Sequence, residues 1–194
     1  METAHQSRCG LPQIGTSSDC QVTFDKIIIF IFVALLKGVL NMNYWLFKTE
    51  PENFSIEDLK NSNNQTTFWD GVRNYRARNI FRDEIKKGDG VLFYHSSTEP
   101  LAVMGYCEVV KEGYSDHTQF DPKNNHFDPK AKKDSPTWFM VDIKLVKEFK
   151  TPVTLDQIRT NLKLKNITLI QRGNRLSVMP VTQIEFEEIF KMGN

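Results

Sequence analysis

The chain has 194 residues, of which 40% are hydrophobic, so it is long enough to bury the core of one domain. Its 25 basic and 24 acidic side chains nearly cancel, which excludes the strongly positive overall field of a non-specific duplex binder. The cysteines Cys9, Cys20 and Cys107 have no spacing typical of zinc or redox sites, and so few of them favour a reducing compartment. We therefore expect a cytoplasmic protein without metal or cofactor, in which any contact with nucleic acid is local.

Residues 1–41 differ in composition from the rest of the chain. Residues 27–36 form an unbroken apolar run, but a membrane-spanning helix needs roughly 20 apolar residues. The run matches the apolar region of a signal peptide in length, yet Asp19 and Asp25 precede it and no small-residue cleavage pair follows before Met42. We expect Met42 to be the true start, residues 1–41 to be an extension outside any domain, and residues 42–194 to form one domain that does not contact a membrane.

Apolar runs and alternation predict four strands. Residues 44–48 are apolar on both faces, as in a central strand, and a turn at residues 88–90 precedes a strand with the sequence VLFYHS. Residues 101–110 form a third strand. In residues 138–149 apolar and polar side chains alternate with a period of two, which is typical of a strand with one solvated face.

Capping patterns predict the helix starts, because a side-chain oxygen there satisfies an unpaired backbone N–H. Such patterns begin at Thr154 and Thr182, and a weaker one begins at Ser55. A fourth helix is predicted over residues 75–86. Strands that neighbour each other without regular βαβ alternation favour an α+β fold, a compact antiparallel barrel or sheet decorated by short helices. The long loop at residues 113–135 is either functional or a solvated excursion with Phe120 and Phe127 packed back on the barrel.

The run that begins at Trp69 carries the chemistry that a base reader needs. Recognition of an unpaired base requires an aromatic platform with hydrogen-bonding groups at a fixed depth. Trp69 offers the platform, Gly71 permits close backbone approach, and Asp70 or Asn74 can pair with a base edge. Composition alone favours the alternative that Trp69 is a core aromatic.

Several further residues have two interpretations. The guanidinium groups of residues 73–82 suit phosphate oxygens, although a basic helix is also an ordinary solvated face. Tyr94 and Ser96 share a strand face and can line a pocket, whereas His95 points to the opposite face and is expected to be structural. Trp138 either closes an aromatic cage or packs under the barrel. No spacing of His95, His117, His126 and Cys107 is typical of a zinc site.

Six stretches in order resemble the EVE domain family: NYWLFKTEP, TTFWDGVRNYRARN, FYHS, DHTQF, PTWFMVDI and RLSVMPVT. The resemblance covers nearly all of residues 42–192, and Arg76 departs from it where the family pattern has glutamine. It implies a PUA-like, mostly antiparallel β pseudo-barrel related to the YTH domains, which hold a methylated base in an aromatic cage. It also implies that Ser55 and Arg175 lie near the barrel mouth, although Ser55 is equally suited to cap a helix.

These observations together predict a non-enzymatic, monomeric module that binds a modified base in DNA or RNA. The predicted base-binding residues are Ser55, Trp69, Asp70, Gly71, Val72, Arg73, Asn74, Tyr94, Ser96 and Trp138. The predicted phosphate-binding residues are Arg73, Arg76, Arg78 and Arg175. Two alternatives remain open: a small amidohydrolase of the ASCH type acting on a modified nucleoside through Lys48, Thr49 and Glu50, and an interaction scaffold with a vestigial pocket.

Overall fold

A six-stranded mixed sheet organises the part of the chain that the computed structural model describes, residues 42–194. The prediction about residues 1–41 lies outside this part. The strands are β1 (Tyr44–Thr49), β2 (Thr66–Trp69), β3 (Gly90–His95), β4 (Ala102–Ser115), β5 (Phe139–Thr154) and β6 (Val178–Val181). The helices are α1 (Ile56–Asn61), α2 (Tyr75–Asn79), α3 (Leu155–Thr160) and α4 (Gln183–Gly193). Short 3-10 turns lie at Asn63–Gln65, His117–Phe120, Leu162–Leu164 and Thr168–Ile170.

The strands follow the order β2, β5, β4, β3, β1, β6 across the sheet. All described pairs are antiparallel except β1 with β3, in which Tyr44 is opposite Gly90. Parallel neighbours need a crossover, and residues 50–89 with α1, β2 and α2 supply it. The predicted α+β, PUA-like and mostly antiparallel fold is confirmed, with β2 and β6 at the edges of an open sheet.

All three predicted capping patterns are present. Ser55, Thr154 and Thr182 each accept a hydrogen bond from the backbone three residues later, and the side chain of that later residue accepts from the capping backbone. The pattern at Ser55 is therefore a full capping box, because the carboxylate of Asp58 accepts from its backbone N–H.

The helix predicted over residues 75–86 is shorter than expected. It is α-helical to Asn79, widens into a π-helical turn over Ile80–Glu84, and becomes extended at Ile85. The Asp89 carboxylate explains the end, because it accepts hydrogen bonds from the Lys86 backbone at 3.0 Å and the Trp45 indole at 2.8 Å. The Lys86 N–H thus has an acceptor outside the helix.

The sheet separates two apolar clusters. On β1 and β3 the residues Trp45, Phe47 and Phe93 face the first cluster, whereas Leu46 and Tyr94 face the second, which α3 and α4 cover. Both β4 and β5 are longer than predicted, and β4 takes up the start of the predicted 113–135 loop. In residues 42–194 no helix has the length and apolar character needed to span a membrane.

Candidate functional site

A cavity of about 460 Å³ opens where β1 and β2 end, on the side of the first apolar cluster. This volume is in the range of small-molecule pockets in proteins. Its walls come from three parts of the chain: the end of β1 with the loop that follows, the strand β2, and the long loop before β5. The lining residues are Lys48, Thr49, Glu50, Asn53, Phe54, Thr67, Phe68, Trp69, Asp70 and His126.

Aromatic rings form one wall of the cavity. Trp69 is only 8% exposed and packs on Phe47, with ring centroids 5.2 Å apart, and edge-on to Phe93 at 5.5 Å. Phe54 lies 6.5 Å from Phe93 and extends this wall. Phe68 is 48% exposed and meets His117 edge-on at 5.3 Å. Trp69 is therefore a core aromatic whose ring also borders the cavity, and its role as a base platform stays a prediction.

Polar groups border the rings. Burial raises the pKa of Asp70, and the nearby charge of Asp116 raises it further. Burial also lowers the pKa of Lys48. The Glu50 carboxylate is held in place, since it accepts hydrogen bonds from Ser97 Oγ at 2.8 Å and Asn53 Nδ2 at 3.2 Å. The cavity thus presents carboxylates, an amine and an amide beside aromatic faces, a combination suited to a flat heterocycle with a hydrogen-bonding edge.

His126 reaches the cavity from the long loop because Gly71 leaves room for it. Gly71 has φ +72°, a conformation that favours glycine, and a Cβ built at this position would overlap the imidazole ring. The backbone N–H of Gly71 donates to Asp116 Oδ2 at 3.1 Å. We predicted that Gly71 permits close approach to its backbone. The group that lies against it is the imidazole of His126.

Arg73 ties the long loop to the end of β2. Its guanidinium donates to Asp116 Oδ2 at 2.8 Å, to Thr118 Oγ1 at 3.1 Å and to the carbonyl oxygen of His126. Asp116 is fully buried, and burial acts to raise its pKa, but the hydrogen bonds from Thr118 and Arg73 outweigh burial and lower it. Arg73 is therefore the partly buried counter-charge of a buried aspartate, and its N–H donors are engaged within the protein.

The family model described as EVE domain matches residues 43–192. The chain belongs to the EVE domain family. Mouse thymocyte nuclear protein 1 is 44% identical over 167 residues, which cover 77% of this chain and 73% of the mouse protein. Human thymocyte nuclear protein 1 is 42% identical over 167 residues, which again cover 77% of this chain and 73% of the human protein.

Solved structures of the family have the same fold. A hypothetical protein from Leishmania major matches with a TM-score of 0.74 and 44% identity, over 79% of this chain and 95% of that one. The crystal structure of human THYN1 protein in complex with 5-methylcytosine containing DNA matches with a TM-score of 0.73 and 42% identity, over 78% and 98%.

The names of the relatives correct one prediction. We predicted a cytoplasmic protein, and this prediction is wrong, because the matched relatives are named as nuclear proteins. Cysteine usage cannot separate the two compartments, since thiols are kept reduced in both.

Of the predicted base-binding residues of this EVE domain, Trp69 and Asp70 alone line the cavity. Gly71 lies against the lining residue His126. Val72 is buried in the first cluster. Asn74 caps α2, where its side chain accepts from the backbone N–H groups of Arg76 and Ala77. The predicted run is thus continuous in sequence but divides after Gly71 between cavity, core and helix cap.

Tyr94 was expected to line the pocket and does not. It is buried in the second cluster, on the face of the sheet opposite to Trp69, and burial raises its pKa to about 12. Ser96 donates to the Thr49 carbonyl oxygen at 3.1 Å and fixes the end of β1 without lining the cavity. His95, on the other face, is structural as predicted, since its Nε2 accepts from the Ile56 backbone at 3.1 Å.

Ser55 and Trp138 also lie outside the cavity lining. The Ser55 side chain caps α1, which is the second of its two predicted roles. Trp138 is buried under the long loop, and its indole donates to Asp128 Oδ2 at 2.7 Å. Asp128 follows Phe127 in the long loop, so this contact helps to hold the loop that carries His126.

The predicted phosphate ligands separate into two kinds. Arg73 and Arg78 are engaged within the protein, since Arg73 forms an ion pair with Asp116 and Arg78 donates to the Thr137 carbonyl oxygen at 3.2 Å. Their phosphate contacts stay predictions. Arg76 and Arg175 are exposed, and within residues 42–194 neither side chain forms a hydrogen bond or an ion pair. Of the four predicted phosphate ligands, these two have guanidinium groups without an internal partner in residues 42–194.

Sequence reasoning missed half of the cavity wall. Asn53, Phe54, Thr67, Phe68 and His126 line it and were not predicted. Phe68 could have been predicted to be exposed, because it precedes Trp69 on a short strand and its side chain therefore points to the face opposite to the buried one. His126 carried no such signal, since a long loop brings it to the cavity from 55 positions beyond Gly71.

Proposed function

We propose that this EVE domain binds DNA that carries a modified cytosine and holds the extruded base in the cavity beside Trp69. The observation that carries the proposal is the human THYN1 structure, described as a complex with 5-methylcytosine containing DNA, whose protein is 42% identical to this chain. The cavity supports it, with about 460 Å³ between aromatic rings and polar groups. Extrusion is required because the aromatic wall is recessed and cannot reach a base inside a duplex.

The chemistry of cytosine fits the cavity wall. Phe68 and Trp69 offer ring faces for stacking, and base–aromatic stacking contributes about 1 to 3 kcal/mol per base. The Asp70 carboxylate can accept a hydrogen bond from the exocyclic amino group, which thymine lacks. A 5-methyl group would be placed against apolar surface from Phe54 or Phe68. Arg76 and Arg175 remain as candidate phosphate contacts because their charges are exposed.

Removing the Asp70 carboxylate tests the proposal. Asp70→Ala should weaken binding to a duplex with one 5-methylcytosine by about 5- to 150-fold, the range for one good side-chain contact to a base edge. Glu57→Ala, an exposed carboxylate on α1, is the matched control and should leave affinity unchanged. Fluorescence anisotropy measures both, with circular dichroism to verify folding. Unchanged affinity in a folded Asp70→Ala protein would exclude this cavity.

A second candidate function rests on the residues at the end of β1. Lys48, Thr49 and Glu50 all line the same cavity, and burial lowers the pKa of Lys48, as activation of an amine requires. Against an amidohydrolase, Thr49 Oγ1 donates to the Phe54 carbonyl oxygen at 3.0 Å. The two functions separate by mass spectrometry after incubation with N-acylated and methylated nucleosides. A new product that Lys48→Met abolishes would establish the enzyme.

A further inference from the structure

A row of side chains, in which two aromatic rings lie between two guanidinium groups, leads away from the cavity to the surface. The Arg73 guanidinium lies 5.4 Å from the ring centroid of Trp138, and the ring centroids of Trp138 and Tyr75 are 5.1 Å apart. The Arg78 guanidinium lies 5.0 Å from the ring centroid of Tyr75. The inner end is fixed by the buried Asp116 beside Arg73. At the outer end Tyr75 is 63% exposed.

The exposure of Tyr75 contrasts with how firmly it is held. Contacts with Trp138 and Arg78 restrict the ring, so a partner that stacks on it loses little additional side-chain freedom. Arg78 is the i+3 neighbour of Tyr75 on α2, and Arg76 beside it is exposed. A fixed aromatic face surrounded by guanidinium groups is the combination that proteins use to stack bases of single-stranded nucleic acid.

The position of Tyr75 relative to the cavity limits what it can reach. Tyr75 is five positions after Asp70, so their Cα atoms are at most about 18 Å apart. A strand whose modified base occupies the cavity would therefore present its neighbouring nucleotides near α2. Extrusion of one base also leaves an unstacked neighbour with a free face.

From these contacts we infer that Tyr75 is a second contact site for nucleic acid, which stacks an unpaired base close to the modified one. The inference rests on the proposed function and extends it from one base to its neighbour. Arg76 contacts the adjoining phosphate, and Arg78 acts through Tyr75 by holding its ring. Stacking is tolerant of base identity, so this site adds affinity without adding preference for the modification.

A binding cycle with a short duplex containing one 5-methylcytosine tests the inference. In the wild-type protein, an abasic analogue at one of the two positions that flank the modified base should weaken binding by at least about fivefold, the lower bound for a stacked base. Tyr75→Ala should weaken binding to the intact duplex by a similar factor and should be insensitive to that abasic analogue. Tyr75→Phe keeps the ring and should match the wild type.

Leu162→Ala removes an even more exposed apolar side chain elsewhere and should have no effect. Thermal melts confirm that each variant is folded. If Tyr75→Ala binds as tightly as the wild type, or keeps the same sensitivity to the abasic analogue, the inference is overturned.

Unmodified single-stranded DNA separates this inference from the proposed function. Its bases are already unpaired, so Tyr75→Ala should still bind it at least about fivefold more weakly than the wild type. If the wild type shows no preference for 5-methylcytosine but this difference remains, the proposed function fails and the Tyr75 site stands. If Tyr75→Ala and wild type bind the single strand equally, the Tyr75 site fails whether or not the preference exists.

Discussion

A single residue at the end of β2, Trp69, combines a structural role with a place beside the cavity. Trp69 borders the cavity and also packs on Phe47 and Phe93, so Trp69→Ala would remove core packing together with any platform. Truncation of a buried aromatic typically costs about 3 to 5 kcal/mol. Loss of binding in that variant would therefore not identify the site, which is why Asp70 is the better test.

The buried pair of Arg73 and Asp116 yields a prediction about stability. Arg73→Met should lower the free energy of unfolding by about 3 to 5 kcal/mol, because it leaves a fully buried carboxylate without its counter-charge. Arg76→Met, three positions along, removes an exposed guanidinium and should change stability by less than about 0.5 kcal/mol. Urea denaturation measures both, and equal stabilities would show that the pair is not needed for folding.

Asp70 predicts a dependence of stability on pH. Its pKa is raised in the folded state, first by burial and then by the charge of Asp116, so the folded protein holds that proton more tightly than the unfolded chain. Its contribution to stability is complete below the unfolded pKa of about 3.9 and is lost as pH rises through the folded pKa. Asp70→Asn lacks this loss, so its free energy of unfolding should rise relative to that of the wild type between acidic and neutral pH.

Asp58 provides the opposite sign as a control. Hydrogen bonds from Ser55 lower its pKa, so its contribution is present above the unfolded pKa and is lost as pH falls through the folded pKa. The free energy of unfolding of Asp58→Asn should therefore decrease relative to that of the wild type as pH rises. Chemical denaturation at several pH values between 3 and 7 compares the two slopes, and equal slopes would contradict the assignment for Asp70.

Residue roles were predicted from sequence only where neighbours along the chain decide them. The His95 side chain follows from strand alternation, and the Ser55 cap follows from a spacing of three. The role of Arg73 does not, because Asp116 and the His126 carbonyl approach it from more than 40 positions away. The Tyr94 side chain was assigned to the wrong face because alternation fixes relative orientation and leaves open which face borders a cavity.

At the scale of elements, local signals predicted most of the starts and fewer of the ends. Three capping boxes begin helices at the predicted positions. The end of the helical segment after Asn79 depends on Asp89, and the length of β4 depends on pairing with β5, so neither follows from its own sequence. The parallel pairing of β1 with β3 was also not predicted, since it depends on where the crossover passes.

The cap of α1 gives a prediction at this scale. Ser55→Ala should lower the free energy of unfolding by about 0.5 to 2 kcal/mol, because a backbone N–H at the start of α1 loses its acceptor. Affinity for DNA with 5-methylcytosine should not change, since Ser55 lies outside the cavity lining. Denaturation and anisotropy on the same samples separate the two effects. A loss of affinity with unchanged stability would restore Ser55 to the binding site.

At the scale of the whole molecule, the near balance of charge limits non-specific binding. With 25 basic and 24 acidic side chains, few phosphates of an unmodified duplex can be neutralised. Affinity for such a duplex should be weak at physiological salt, and its logarithm should fall with the logarithm of salt by about 0.9 per phosphate contacted. Titrations at three salt concentrations measure this slope. Tight binding with a steep slope would show that the proposed local contacts are not what holds the DNA.

The pairing of β1 with β6 has a consequence for synthesis on the ribosome. One edge of β1 can pair with β3 once residue 95 has emerged, but its other edge pairs with residues 178–181. At about 5 to 20 residues per second, that edge stays open for roughly 4 to 17 s. The strand carries Trp45, Leu46 and Phe47, all buried in the finished fold. During this interval β1 is an apolar strand with one unpaired edge, the kind of segment that chaperones protect and that associates with other nascent chains.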